Sequence, residues 1–179
     1  MDFRIIILLI CVSLTFTQLT QSDISYIKNY ILSNQNQQNG IFFENKENSF
    51  KETREAIESL LILNEKIPNQ ELICKTILNE KNVNYNIIKI NSDLNCKNDL
   101  SSKFIPNKTT NSIEELYYDF KAANLLNHKS LSELYKSSKE FLSNNKFSKF
   151  KNVIRKKSIF ATSLGIEIFS IAYEKLSEE

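Results

Sequence analysis

Turn-forming residues are nearly missing from this chain: its 179 residues include two glycines, Gly40 and Gly165, and two prolines, Pro68 and Pro106. An all-β sandwich needs a turn signal about every ten residues, so that class is excluded, and helices joined by polar linkers are expected. A dominant sign of charge is also missing. Lys and Arg number 23 against 21 Asp and Glu, and the net charge of +2 is scattered, which leaves no electrostatic footprint for nucleic acid. There is one histidine, His128, with no nucleophile motif beside it, and it reads as a surface histidine in a loop. The chain has no glycine-rich phosphate loop, paired-aspartate motif or zinc set. No catalytic residue, metal site or cofactor site is therefore assigned. After the first residues, no apolar run approaches the about 20 residues that a membrane span requires.

The one long apolar run is at the start. Arg4 precedes Ile5-Ile6-Ile7-Leu8-Leu9-Ile10-Cys11-Val12-Ser13-Leu14, and small polar residues follow through Ser22. A charged start, a short apolar core and a polar cut site form the layout of a secretory signal peptide. Residues 1–22 are read as that leader and 23–179 as a single helical lumenal domain, with cleavage near Thr20 to Ser22. The chain closes Leu176-Ser177-Glu178-Glu179 without a retention tetrapeptide. The mature product is expected in the lumen or secreted, with no transmembrane anchor of its own.

That compartment changes how the cysteines read. Cys11 leaves with the leader, and Cys74 and Cys96 remain as an even pair in an oxidising environment. They are either a disulfide or two free buried thiols. A disulfide closes a loop of about 23 residues and stabilises by roughly 3 kcal/mol in the chain-entropy model. Asn107-Lys108-Thr109 is an N-glycosylation acceptor in a polar stretch after Pro106. The Asn/Gln run from Asn34 to Asn39 is read as loop filler, and the abundance of Asn as compositional drift.

The helix with the clearest start and stop signals runs from Ser49 to Leu63. Ser49 and Glu52 form a capping box, and Phe50, Thr53, Ala56, Ile57, Leu60 and Leu61 make one broad apolar face. Before it, Ser22 or Asp23 caps a first helix carrying Ile24, Ile27, Tyr30 and Ile31 on one side, and Ile41-Phe42-Phe43 tucks under the next. Asn69 caps a third helix, and a fourth covers about Val83 to Leu94. Ser112 with Glu115, and Ser130 with Glu133, are two more capping boxes, opening helices on Ile113, Leu116, Tyr117, Phe120 and on Leu131, Leu134, Phe141. Lys146 to Lys157 is a basic linker with two docking aromatics, Phe147 and Phe150. A last helix runs from Ser158 to about Leu176. It echoes the Ser49 helix: Thr162 matches Thr53, Gly165 matches Ala56, and Ile166 matches Ile57. A recurring helical unit points to an array of about seven helices, either a solenoid or a closed α/α toroid.

In order and spacing, the Ser49–Leu63 helix, Leu72-Ile73-Cys74-Lys75, Asp93-Leu94-Asn95-Cys96, Ile113-Glu114-Glu115-Leu116-Tyr117-Tyr118 and Ser158–Glu167 resemble the N-terminal lumenal domain of ribophorin II. This family comprises non-catalytic subunits of the oligosaccharyltransferase. The resemblance covers nearly the whole mature chain. It implies an α/α-toroid-like domain in the endoplasmic reticulum lumen, with oligosaccharyltransferase subunits as partners, no cofactor and a supporting role in N-glycosylation. Known members continue into β-sandwich domains and membrane helices, so a chain that stops at Glu179 reads as a truncated form. A secreted, disulfide-stapled helical binding module is the alternative. A toroid enzyme such as a cyclase is the third reading, disfavoured by the missing aspartate and zinc-ligand motifs.

Overall fold

The computed structural model describes residues 20–43, 49–107, 109–143, 146–147 and 159–176. The leader up to residue 19, the side chain of Ser49, the basic linker apart from the backbone of Lys146 and Phe147, and residues 177–179 lie outside the described residues. Among the described residues the chain is all-α, as expected. It has seven helices: α1 (Gln21–Ser33), α2 (Ser49–Ile62), α3 (Gln70–Leu78), α4 (Tyr85–Asp93), α5 (Ile113–Leu125), α6 (Leu131–Ser138) and α7 (Ile159–Leu176). Single 3-10 turns lie at Ser101–Lys103 and Lys139–Phe141. One short antiparallel pair sets Leu142 opposite Phe147 and Ser143 opposite Lys146. Two compact units divide the chain, Met1–Pro68 and Asn69–Glu179.

In the first unit, α1 starts earlier than Ser22 or Asp23 would allow. Thr20 is its N-cap. The Thr20 hydroxyl accepts the Asp23 N–H at 3.2 Å, and the Asp23 carboxylate accepts the Thr20 N–H at 2.9 Å. Asp23 thus plays the part usually taken by Glu in a capping box, and its hydrogen bonds to Thr20 hold its carboxyl below the ordinary range. The Asn/Gln run is a closed turn rather than filler. Gly40 N–H donates to Asn36 O at 2.8 Å, Asn36 N–H to Ile41 O at 2.9 Å and Phe43 N–H to Asn34 O at 2.9 Å. Side-chain amides complete it: Asn36 Oδ1 accepts from Gln38 N–H and Asn39 Oδ1 from Ile41 N–H. Buried Gln35 donates to the carbonyls of Gly40 and Pro68, both at 3.0 Å. The turn presses Ile41 and Phe42 into the interior, as expected, and α2 holds them there. The Thr53 hydroxyl accepts the Phe42 N–H at 3.0 Å and donates to the Phe42 carbonyl at 3.2 Å. Ala56, Ile57 and Leu60 are buried beside it, whereas Leu61 and Tyr30, both expected inward, are exposed. Tyr30 instead sets its ring 5.6 Å from that of Phe43.

In the second unit α5 is the hub, packed against α4, α6 and α7, while α6 also packs against α7. Its sequence suits that position: Ile113, Leu116, Tyr117, Phe120, Ala122 and Ala123 are all buried. These positions wrap around more than half of the helix, as a helix with neighbours on several sides requires. α7 adds Ala161, Leu164, Ile168 and Ala172 to the core. Its echo of α2 is local. Ala56 and Gly165 are both buried, but Ile57 is fully enclosed while Ile166 is 61% exposed.

Three helices end in the same way. After α2, α4 and α5 the chain reads Leu63-Asn64-Glu65, Leu94-Asn95-Cys96 and Leu126-Asn127-His128. The asparagine takes a left-handed conformation in each, with φ of 56°, 50° and 48°. Glu65 N–H bonds Leu60 O, Cys96 N–H bonds Asn91 O and His128 N–H bonds Ala123 O, at 2.8 to 3.0 Å. Asn64, Asn95 and Asn127 each donate to the carbonyl three residues back. This is the Schellman pattern, with asparagine at the position where glycine is usual. Asparagine tolerates that region because its short amide bonds locally.

Candidate functional site

The disulfide corner is built by such a helix end. The Schellman turn after α4 leaves Cys96 beside Cys74 on α3, and the two are bonded with Cα atoms 5.4 Å apart. A second left-handed residue, Lys97, reverses the chain again. Asn98 then donates to the Cys74 carbonyl at 2.9 Å, Asn91 to Asn98 O at 3.1 Å and Gln70 to Leu94 O at 2.5 Å. Side-chain amides thus tie both ends of the disulfide-closed loop, and both cysteines are half-buried.

Asn107 lies on an exposed loop before α5. Its Oδ1 accepts the Thr109 N–H and the Thr109 hydroxyl, both at 3.2 Å. This is an Asx turn. Its backbone N–H donates to Asp119 Oδ2 at 2.7 Å. Burial raises Asp119 above the ordinary carboxylate range, Glu115 adds to the rise, and the Asn107 N–H opposes it. The capping box expected of Ser112 and Glu115 does not form. Thr110, two residues earlier and buried, accepts the Ser112 N–H and donates to Glu115. Its hydroxyl spans the gap that the Ser112 side chain leaves unfilled.

His128 follows the Schellman asparagine of α5 and is half-buried rather than a free surface residue. Its Nδ1 lies 2.8 Å from Ser130 Oγ and accepts the Ser130 N–H at 3.3 Å. Its ring meets Phe104 edge-on at 5.5 Å. Ser130 is therefore engaged backwards, and the capping box expected with Glu133 is not made.

The sequence reading missed one cluster. Tyr117 and Lys121 are one turn apart on α5, and Glu167 comes from α7. The Tyr117 hydroxyl donates to Glu167 Oε2 at 2.7 Å, and Lys121 Nζ reaches Tyr117 Oη at 3.0 Å and Glu167 Oε1 at 3.2 Å. The ammonium also stands 5.6 Å from the centre of the Tyr85 ring and 5.1 Å from that of Tyr117, and Tyr118 packs on both tyrosines. Burial, and the bond to Glu167, push the Tyr117 phenol above its ordinary value, so it is a neutral donor. Burial opposes the charge on Lys121, but the bond to Tyr117 and the surrounding tyrosines and Glu167 outweigh it and raise the ammonium. An activated tyrosine or lysine needs the opposite shift, so this cluster ties α7 to α5. A signal was present in the Tyr-x-x-x-Lys spacing, but its acid comes from 46 residues away.

Among the described residues no three His, Cys, Asp or Glu side chains are grouped to hold a metal ion. No helix among them is long and apolar enough to cross a membrane. No curated protein and no solved structure matches the chain. One family model does, that of the ribophorin II N-terminal domain, over residues 19–156. That span takes in α1 to α6, the disulfide corner, the Asn107 loop and the α5 side of the tyrosine cluster. With well over half of its length matched, this chain belongs to the ribophorin II N-terminal domain family.

Proposed function

We propose that this chain is a non-catalytic, ribophorin-II-like subunit or paralogue that supports oligosaccharyltransferase-mediated N-glycosylation in the endoplasmic reticulum. The observation that carries this reading is the family match over residues 19–156. The signal-peptide layout of residues 1–22 and the disulfide between Cys74 and Cys96 are in keeping with a lumenal site of action. Its working surface is protein–protein contact with oligosaccharyltransferase subunits, through which it associates with the membrane. In the same reading Asn107 carries an N-linked glycan: its side chain is exposed, and its Oδ1 is turned to Thr109.

Affinity isolation of the tagged full chain from microsomes in mild detergent tests the proposal. Recovery with the catalytic oligosaccharyltransferase subunit is expected, together with under-glycosylated client proteins when the chain is depleted. Recovery free in the lumen or in the medium, with client glycosylation unchanged, overturns it. In the same preparation the wild type should shift in mass on glycosidase treatment, and Asn107→Gln should not.

A further inference from the structure

The turn after α1 contains the chain's one asparagine–glycine pair, Asn39-Gly40; the other glycine follows Leu164. That pair is reactive by itself. A backbone nitrogen that follows asparagine can attack the side-chain amide carbon and close a five-membered imide. Most side chains at the next position hinder the approach, and glycine has none. In the first step the Gly40 nitrogen loses its proton and bonds to Asn39 Cγ, and the amide group leaves with that proton as ammonia. Water then opens the imide. Breaking the new N–Cγ bond leaves aspartate. Breaking the original peptide bond instead leaves isoaspartate, in which the backbone runs through the former side chain and is one carbon longer. Water is the one co-reactant.

The folded turn opposes the first step at both reacting groups. Gly40 is buried, and its N–H, whose proton must leave, donates to Asn36 O at 2.8 Å. Asn39 Oδ1 accepts the Ile41 N–H at 2.9 Å, an Asx contact that fixes the carboxamide. Closing the ring takes the proton out of the first bond and swings the carboxamide out of the second. The turn is braced against that movement. Gln35 holds the Gly40 carbonyl at 3.0 Å. Asn36 N–H donates to Ile41 O, and Ile41 and Phe42 next to the pair are buried. The reaction therefore requires a local opening of the turn. Isoaspartate cannot regain these bonds, because the added carbon moves Gly40 out of register with Asn36.

We propose that Asn39 is a latent self-modification site, shut while the turn is folded and converted to aspartate and isoaspartate when the turn opens. It makes opening of the first unit a one-way event. The inference stands apart from the glycosylation reading. The purified full chain, incubated at neutral pH in heavy-oxygen water with and without urea, is digested and the peptide carrying Asn39 is followed by mass. Conversion in urea is expected to be at least about tenfold faster than in native buffer. Thr53→Val, which frees the neighbouring Phe42 backbone, is expected to speed conversion in native buffer and leave the rate in urea unchanged. The isoaspartate form, separated and returned to native buffer, should melt below the fresh chain, whereas Asn39→Asp, whose carboxylate still accepts from Ile41, should melt close to it. Equal rates with and without urea, no conversion in urea, or a Thr53→Val chain that converts no faster than the wild type would each overturn the site. An isoaspartate form that melts like the fresh chain would overturn its one-way character.

Discussion

The Thr53 side chain satisfies both backbone polar groups of a buried residue that is eleven positions away in sequence. Thr53→Val keeps the shape and removes both bonds, leaving the N–H and the carbonyl of buried Phe42 without that hydroxyl. Stranding a buried polar group costs about 1–3 kcal/mol. The variant is expected to lose at least that much stability, seen as a lower urea midpoint at unchanged slope. A loss below about 0.5 kcal/mol would mean that other groups replace the hydroxyl. The spacing of Thr53 with Ala56 and Ile57 made its inward direction legible, but its partner was not, because a hydroxyl's acceptor depends on which loop folds back over it. The asparagines were legible only as a surplus. Asn64, Asn95 and Asn127 act as substitute glycines at helix ends, and the recurring Leu-Asn pair was the available clue. Leu78-Asn79 shows its limit, since Asn79 stays right-handed with φ of −80°.

Among the elements, α7 lies beyond the family-matched residues, yet it is built into the core. Gly165 is buried on its inward face, in line with Ala161 and Ala172. A leucine there would overpack the contact, so Gly165→Leu is expected to destabilise by about 1–3 kcal/mol, or roughly 2–12 °C in melting temperature. Gly165→Ala is the control: if one methyl fits, helix propensity offsets it by up to about 1 kcal/mol. Equal melting temperatures for the leucine variant and the wild type would remove the close-approach account. All seven helices were legible from apolar periodicity, which depends on local phase alone. The caps were less so. A serine three residues before a glutamate matches the box at Ser112 and Ser130, but Thr110 and His128 compete for the same groups, and the competition is settled by loop geometry.

For the whole molecule, the Cys74–Cys96 bond is the one covalent tie between elements among the described residues. Replacing both cysteines by alanine is expected to lower the unfolding free energy by roughly 3 kcal/mol. The loss should be matched by wild type held in reductant, and calorimetry of the two side by side checks it. A double variant as stable as the oxidised wild type would mean that the amide ties of Asn91, Asn98 and Gln70 suffice. The pairing was open in the sequence as one of two alternatives, because cysteine count and compartment do not supply a distance. The Schellman turn after α4 supplies it. The Tyr117–Lys121–Glu167 cluster was legible only in its Tyr-x-x-x-Lys half, since Glu167 is brought to it by the packing of α7 on α5.

The place of α7 in the chain also sets an order in time. Ribosomes add about 5–20 residues per second, so the residues between Asn107 and the end of α7 take roughly 3–14 seconds to make. Until then α5 lacks the helix that Glu167 fastens to it: Tyr117 and Lys121 wait without the carboxylate that later joins them, and the core stays open where Ala161, Leu164, Ile168 and Ala172 will fill it.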